Sequence, residues 1–314
     1  MDVAYISHSS STLHDMGEWH PESPDRVRVI ADRLCSSGLI DLMVGFDAPA
    51  VTREQLLRAH QARYLDHLEE VSPREGYFSL DADTLMNPHT LEAARHAAGA
   101  AVLAVDLVMT QGFRRVFCNV RPPGHHATYQ SAMGFCFYNN VVVGIRHALA
   151  SYGLSRIALF DFDVHHGNGS EDILAGDERV LMLSTFQPQI FPHHGEVPLG
   201  DNMCNVPLER YSRGDAMKAV VRERWAPALE RFQPELIFIS AGFDAHRDDD
   251  MGQLGWTTAD YAWITHWLML QAEQYCQGRA ISILEGGYAL EALSASVEQH
   301  VRELLGIGLH TLPA

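Results

Sequence analysis

Short apolar runs without polar alternation recur along the chain: Val3 to Ile6, Arg115 to Val120, Ile157 to Phe162, Val180 to Ser184, Leu236 to Ser240 and Ala280 to Leu284. A run whose hydrophobicity is continuous rather than alternating suits a strand that buries both of its faces, as the strands of a parallel sheet covered on two sides do. Helical segments with recognisable ends lie between the runs. Ser23-Pro24 places a capping hydroxyl before an N1 proline and Gly38 ends that segment; Asn87-Pro88 opens Thr90 to Gln111 in the same way, with Gly112 as its stop. Thr52 to Gln55 and Thr257 to Asp260 have the form of capping boxes, and Pro227 should kink or break the Ser212 to Phe232 stretch. Strands alternating with helices in this way predict a doubly wound α/β fold.

No internal repeat and no Pro/Ser/Gly-rich linker divides the 314 residues, so one domain spanning 1–314 is expected. Lys+Arg 23 against Asp+Glu 40 gives a net charge of −17, which repels phosphate and argues against direct nucleic-acid binding. The longest apolar stretch, Ala100 to Met109, is interrupted by Asp106, so no membrane span is expected, and the start MDVAYISH reads as a strand rather than a leader. The five cysteines show no C-x-x-C spacing and are read as reduced thiols, which together with the start predicts a cytoplasmic protein.

In an open parallel sheet, ligands bind beyond the carboxyl ends of the strands. Here the runs lead into Arg121-Pro122-Pro123-Gly124-His125-His126, Asp161-Phe162-Asp163-Val164-His165-His166-Gly167-Asn168-Gly169, Ala241-Gly242-Phe243-Asp244-Ala245-His246 and Glu285-Gly286-Gly287-Tyr288. Side chains alternate along a strand, so Asp161, Asp163 and His165 share one face while Phe162 and Val164 take the other. Two carboxylates buried without partners would each cost several kcal/mol, so a cation or hydrogen-bond donors must compensate them, and a divalent metal is the natural answer. Asp163 and His165, with Asp244 from another strand end, supply three ligands and leave an open position for water or substrate, as a catalytic zinc requires; such a set also tolerates Fe²⁺ or Co²⁺. His125 and His126 then form the acid/base element, with Asp161 and Asn168 beside the ligands as acceptors for their ring N–H groups. Tyr288 can donate a hydrogen bond to a carbonyl that gains negative charge.

Taken together these segments resemble the histone deacetylase superfamily, nearest its class II-like and bacterial amidohydrolase branch, which includes relatives of the acetylpolyamine amidohydrolases. His20-Pro21-Glu22-Ser23-Pro24-Asp25-Arg26, RPPGHHA (121 to 127), GFCFYNN (134 to 140), DFDVHHGNG (161 to 169), SAGFDAH (240 to 246) and LEGGY (284 to 288) stand in the family's order. The resemblance implies a three-layer α/β/α domain with a central, mainly parallel sheet of arginase/deacetylase type. It implies one Zn²⁺ on Asp163, His165 and Asp244, His126 as the proton-transferring histidine with His125 as its companion, and Asp161 and Asn168 holding His125 and His126 respectively. It further implies a structural K⁺ near Asp161, Asp163, His165 and Ser184. Gly134-Phe135 and Phe191 would line an acyl-lysine tunnel, and Asp83, with Asp81 as its neighbour, would grip the substrate backbone at the mouth. Phe186 and the loop to Gly200 depart from the family's pattern.

The expected activity is removal of an acetyl or other short acyl group from an N-acylated amine, either acetyl-lysine in a peptide or protein or an acetylated polyamine; an oligomer is compatible with the sequence. Two alternatives stand beside it. Asp244-Ala245-His246-Arg247-Asp248 has the D-A-H-x-D form that bridges two metals in arginase-type ureohydrolases, and a non-catalytic acyl-lysine binding module would keep the same cavity.

Overall fold

Each apolar run read as a strand forms one. The computed structural model describes residues 2–308; Met1 and residues 309–314, the two ends of the expected domain, lie outside the described residues. In chain order the main sheet contains β1 (Val3–Ser7), β2 (Val44–Asp47), β3 (Arg115–Cys118), β4 (Ile157–Asp161), β5 (Val180–Phe186), β6 (Met203–Pro207), β7 (Leu236–Ala241) and β8 (Ala280–Leu284). They pair in the order β2-β1-β3-β8-β7-β4-β5-β6, every neighbour parallel. This is the α/β architecture with a central parallel sheet that the sequence predicts.

The continuous hydrophobicity has the expected cause. In β4, Ile157 and Leu159 enter one core and Ala158 and Phe160 the other; in β7, Leu236 and Phe238 face one way and Ile237 and Ile239 the opposite way. The helices Thr90–Thr110 and Asn140–Tyr152 cover the first face. Asp25–Ser36, Thr258–Tyr275 and Leu290–Leu304 cover the second. By length and composition Thr90–Thr110 could cross a membrane, more than the Asp106 interruption suggests, yet here 67% of its most apolar window is buried against the sheet. Asp106 itself accepts from Tyr152 Oη at 2.7 Å and lies 2.7 Å from His147 Nε2.

Local signals hold with two corrections. Both capping boxes form, Thr52 with Gln55 and Thr257 with Asp260. Pro227 falls where the helix Gly214–Val220 passes through a π-helical turn, Val221–Trp225, into Ala226–Phe232, because proline has no N–H to continue the ladder. The Ser23 hydroxyl does not cap: Asp25–Ser36 starts after Pro24 without a side-chain cap, and it is the Ser23 carbonyl that accepts the Arg26 N–H. The edge strands β2 and β6 were not anticipated, since their residues alternate between covered and more exposed rather than forming an apolar run. The four central strands β3, β8, β7 and β4 deliver their carboxyl ends side by side, and the site lies there.

Candidate active site

The three residues read as metal ligands meet. Each of Asp163, His165 and Asp244 offers a ligand atom within 4.8 Å of the others, and all three are buried. His165 Nδ1 lies 3.1 Å from Asp163 Oδ1 and 3.2 Å from Asp244 Oδ2. Backbone donors fix the carboxylates: His165 N–H donates to Asp163 Oδ1 (2.9 Å), Gly286 N–H to Asp163 Oδ2 (2.8 Å) and Val164 N–H to Asp244 Oδ1 (2.9 Å). Asp244 Oδ2 is buried and accepts no aligned hydrogen bond, its close polar neighbour being the His165 ring that shares the site, an arrangement that costs free energy unless a cation lies between them. The floor is bare: a Cβ on Gly286 would lie 2.2 Å from Asp244 Oδ2 and 2.5 Å from Asp163 Oδ2. Two carboxylates and an imidazole so placed fit a divalent ion. The D-A-H-x-D pattern does not assemble a second centre of this kind, because Asp248 turns outward with 63% of its side chain exposed and meets His246 at 3.5 Å.

The histidine pair is oriented as the sequence suggests. His125 Nδ1 is 3.0 Å from Asp161 Oδ2, and His126 Nδ1 is 2.8 Å from Asn168 Oδ1. Their environments differ in charge. Burial works against a charged His125, but Asp163, Asp161 and Glu285 outweigh it and push the imidazole up to about 10. Burial holds His126 well below the ordinary imidazole range, reinforced by the neighbouring His125 and His165 rings. The two rings, 4.0 Å apart between centroids, are thus pushed in opposite directions by their surroundings. Asn168 in place of a carboxylate gives His126 an orienting acceptor without a charge that would favour its protonation.

Tyr288 sits on a loop held by buried charge. Arg26 Nε donates to Gly287 O (2.6 Å), Arg26 Nη2 donates to Glu285 O, and the guanidinium carbon lies 4.8 Å from the centre of the Tyr288 ring. Glu22 neutralises both Arg26, through Oε1 at 2.9 Å, and Arg121, through Oε1 and Oε2 at 2.7 Å each. None of these three side chains is exposed. Glu285 accepts the Gly124 and His125 N–H groups through Oε2 (2.7 and 3.1 Å), and burial pushes its carboxyl up to about 7. The sequence reading placed Glu22, Arg26, Arg121 and Glu285 in motifs but gave them no role. The available signal was charge packed between prolines and glycines at strand ends, where loops have little exposed surface.

Two aromatic residues flank the approach. Phe191 stands 4.9 Å from His126 between centroids at 85°, and Phe135 lies 6.0 Å from Tyr288 at 84°. Gly134, at φ +55°, admits both His126 and Phe191, since a Cβ there would come within 2.5 Å of the imidazole and 2.7 Å of the phenyl ring. Asp83 is more peripheral. It is exposed on a short loop whose Asp81 Oδ1 accepts the Asp83 and Thr84 N–H groups, and its own carbonyl lies 3.0 Å from His20 Nε2. His20 packs on Phe135 at 4.7 Å, which brings the Asp81–Thr84 turn beside the aromatic pair. Ser184 Oγ, in register with Asp161, is buried without a partner.

Comparison with known proteins shows the family and the fold. Residues 20–304 match the histone deacetylase domain family. The chain is 34% identical to the type-2 histone deacetylase 2 of Dictyostelium discoideum, over 96% of this chain but only 20% of that protein's length. It is 36% identical to the histone deacetylase-like amidohydrolase of Pseudomonas aeruginosa over 86% of this chain and 73% of that one. Among solved structures, the HDA15 HD domain superposes with a TM-score of 0.91 at 31% identity, covering 100% of this chain and 90% of the other.

Proposed function

The chain belongs to the histone deacetylase family of amide hydrolases, and we propose that it removes an acetyl or other short acyl group from an N-acylated primary amine, with Zn²⁺ held by Asp163, His165 and Asp244. The observation that carries this is the meeting of those three donors around the buried Asp244 Oδ2, which accepts no aligned hydrogen bond, beside an Asn168-held His126. When bound, the metal polarises the substrate carbonyl and acidifies the attacking water.

This chain's own groups supply the rest. With Nδ1 facing Asn168 Oδ1, His126 presents Nε2 as the base, takes a proton from water and passes it to the departing amine. His125, held positive by Asp161, favours the negative charge that builds on the substrate oxygen. Tyr288 donates its hydroxyl proton as a hydrogen bond to that oxygen. Phe135 and Phe191 pack on the alkyl chain and exclude water from the reacting carbonyl. A structural K⁺ beside Asp161 and Ser184 belongs to the same proposal, supported by the unpartnered Ser184 Oγ.

The net charge of −17 supports a cationic substrate, an acetyl-lysine peptide or an acetylated polyamine. The five cysteines are unpaired, which supports a reducing, cytoplasmic setting. The decisive experiment measures acetate release from acetyl-lysine peptides and acetylated polyamines by the zinc-loaded chain. His126→Ala should lower kcat by about 100-fold or more; full activity in that variant overturns the assignment.

A further inference from the structure

The helix Leu290–Leu304 follows Ala289 at its N-cap, and the buried backbone that leads into it, Tyr288 and Ala289, carries N–H groups that need acceptors from elsewhere. Asp249 provides them. Its Oδ2 accepts the Tyr288 N–H at 2.6 Å and the Ala289 N–H at 2.9 Å, while Oδ1 accepts the Met251 N–H at 3.0 Å. The residue is 4% exposed. It stands on a loop closed by paired backbone bonds, Arg247 N–H to Trp256 O (2.9 Å) and Trp256 N–H to Ala245 O (3.2 Å), so the carboxylate is presented from a fixed frame. The same loop packs on Val164, between two of the proposed metal ligands: a Cβ on Gly252 would lie 2.5 Å from Val164 Cγ2.

Tyr288 follows Gly286 and Gly287, the latter at φ +116°, a stretch with no side chain of its own to define its path. Its path is set from two sides. Arg26 grips the carbonyls of Glu285 and Gly287, and Asp249 grips the N–H groups of Tyr288 and Ala289. A cation on the carbonyls and an anion on the N–H groups fix the rotation of the peptide planes on either side of the tyrosine, and therefore the direction of its ring.

We propose that Asp249 is a positioning residue for the reaction: through the backbone of Tyr288 and Ala289 it sets where the Tyr288 hydroxyl stands relative to the substrate carbonyl. This rests on the reading of Tyr288 as the group that polarises that carbonyl. A carboxylate is required because three N–H groups converge on it; an asparagine has one acceptor oxygen and would turn an NH₂ toward an N–H.

The test compares Asp249→Asn, Tyr288→Phe and the double variant on an acetyl-lysine peptide and its trifluoroacetyl analogue, in the zinc-loaded full chain. Fluorine makes the carbonyl electrophilic, so the second substrate depends less on a hydrogen bond to its oxygen. Asp249→Asn should lower kcat on the acetyl substrate by about 30-fold with KM changed less than about threefold, and lower trifluoroacetyl turnover by less than about threefold. The double variant should be no slower on acetyl-lysine than Tyr288→Phe alone. Equal losses on both substrates, or multiplicative losses in the double variant, overturn the inference. If Tyr288→Phe itself retains full acetyl turnover, the reading of Tyr288 falls and the inference with it; if only Asp249→Asn retains it, the inference alone falls. Should Asp249→Asn fail to fold, Asp249→Glu keeps the charge on a longer arm and reads the same substrate ratio, with a preferential loss on acetyl-lysine expected and parallel losses refuting.

Discussion

Replacing Glu22 by Gln should destabilise the fold far more than loss of a surface charge. Both oxygens of Glu22 are committed, Oε1 to Arg26 at 2.9 Å and Arg121 at 2.7 Å, and Oε2 to Arg121 at 2.7 Å, with His14 Nε2 3.4 Å away. Gln keeps one acceptor and points donors at a guanidinium, so two fully buried cations lose their counter-charge. Breaking a buried pair costs about 3–5 kcal/mol, and one anion serving two cations belongs at the upper end. Burial by itself would raise the Glu22 carboxyl, but Arg121, His14 and Arg26 together hold it well below its ordinary 4.5. A depressed acid contributes stability above its unfolded pKa and loses it as pH falls, so the gap between wild type and variant should be complete at pH 7.5 and shrink below about 4.5. Urea unfolding followed by tryptophan fluorescence, with Trp225 and Trp256 fully buried as reporters, measures the gap. A difference under about 1 kcal/mol at pH 7.5 would refute the view that this carboxylate neutralises the arginine pair.

The other expectations concern the metal and pH. Gly286→Ala sets a methyl group 2.2 Å from Asp244 Oδ2 and 2.5 Å from Asp163 Oδ2, so the carboxylates must retreat by about 1 Å, well beyond the roughly 0.2 Å that metal–ligand distances tolerate. The variant should fold with near-normal circular dichroism yet bind zinc at least about 100-fold more weakly in a chelator competition; unchanged affinity would sink the ligand assignment. His60 is buried, with Nδ1 2.9 Å from Thr128 O and Nε2 accepting the Asn139 N–H at 2.9 Å, and burial lowers its pKa from 6.5 to about 4. A depressed histidine leaves stability complete above about 6.5 and lost as pH falls through about 4, by about 3 kcal/mol in all. His60→Asn should flatten that part of the pH dependence between pH 7.5 and 4; an unchanged slope would show that the ring is not held neutral.

The interior of the fold was legible because burial on both sheet faces leaves few polar residues inside a central strand, as Ile157 to Phe160 illustrate, and one exception, Ser282, is satisfied by His300. Strands at the edge lose that signature: Val44–Asp47 alternates between half-covered and exposed positions and reads like a loop. Site residues were legible for a related reason, since an ionisable group directly after an apolar run has nowhere polar to go except toward its counterparts from neighbouring strands. Asp163 and Asp244 come together through the register that pairs Asp161 with Ser240. Glu22 and Arg121 were opaque in role because a charge neutralised by a partner about a hundred positions away looks, in one dimension, like surface charge, and Arg26, four residues after Glu22, looks like half of an exposed i,i+4 pair. Ser23-Pro24 misled because a cap depends on where the preceding backbone turns, and here the serine carbonyl takes the bond that the hydroxyl was expected to take.

The placement of those hidden charges couples stability to chemistry. Arg26 spends one side of its guanidinium on Glu22 and the other on the carbonyls of Glu285 and Gly287, so the group that satisfies a buried anion is also the one that fixes the Tyr288 loop. Weakening the Glu22 anchor therefore frees Arg26 to shift, and the shift reaches Tyr288 through the Gly287 carbonyl and Asp163 through the Glu285–Gly286 peptide, whose carbonyl accepts from Arg26 and whose N–H donates to Asp163 Oδ2, while Asp244 hangs on Val164 N–H. In a Glu22 variant that still folds, acetyl turnover and zinc affinity should accordingly fall together. Lowered turnover with unchanged zinc affinity would mean that the arginine layer does not support the metal floor, and that tyrosine loop and metal centre form two units rather than one.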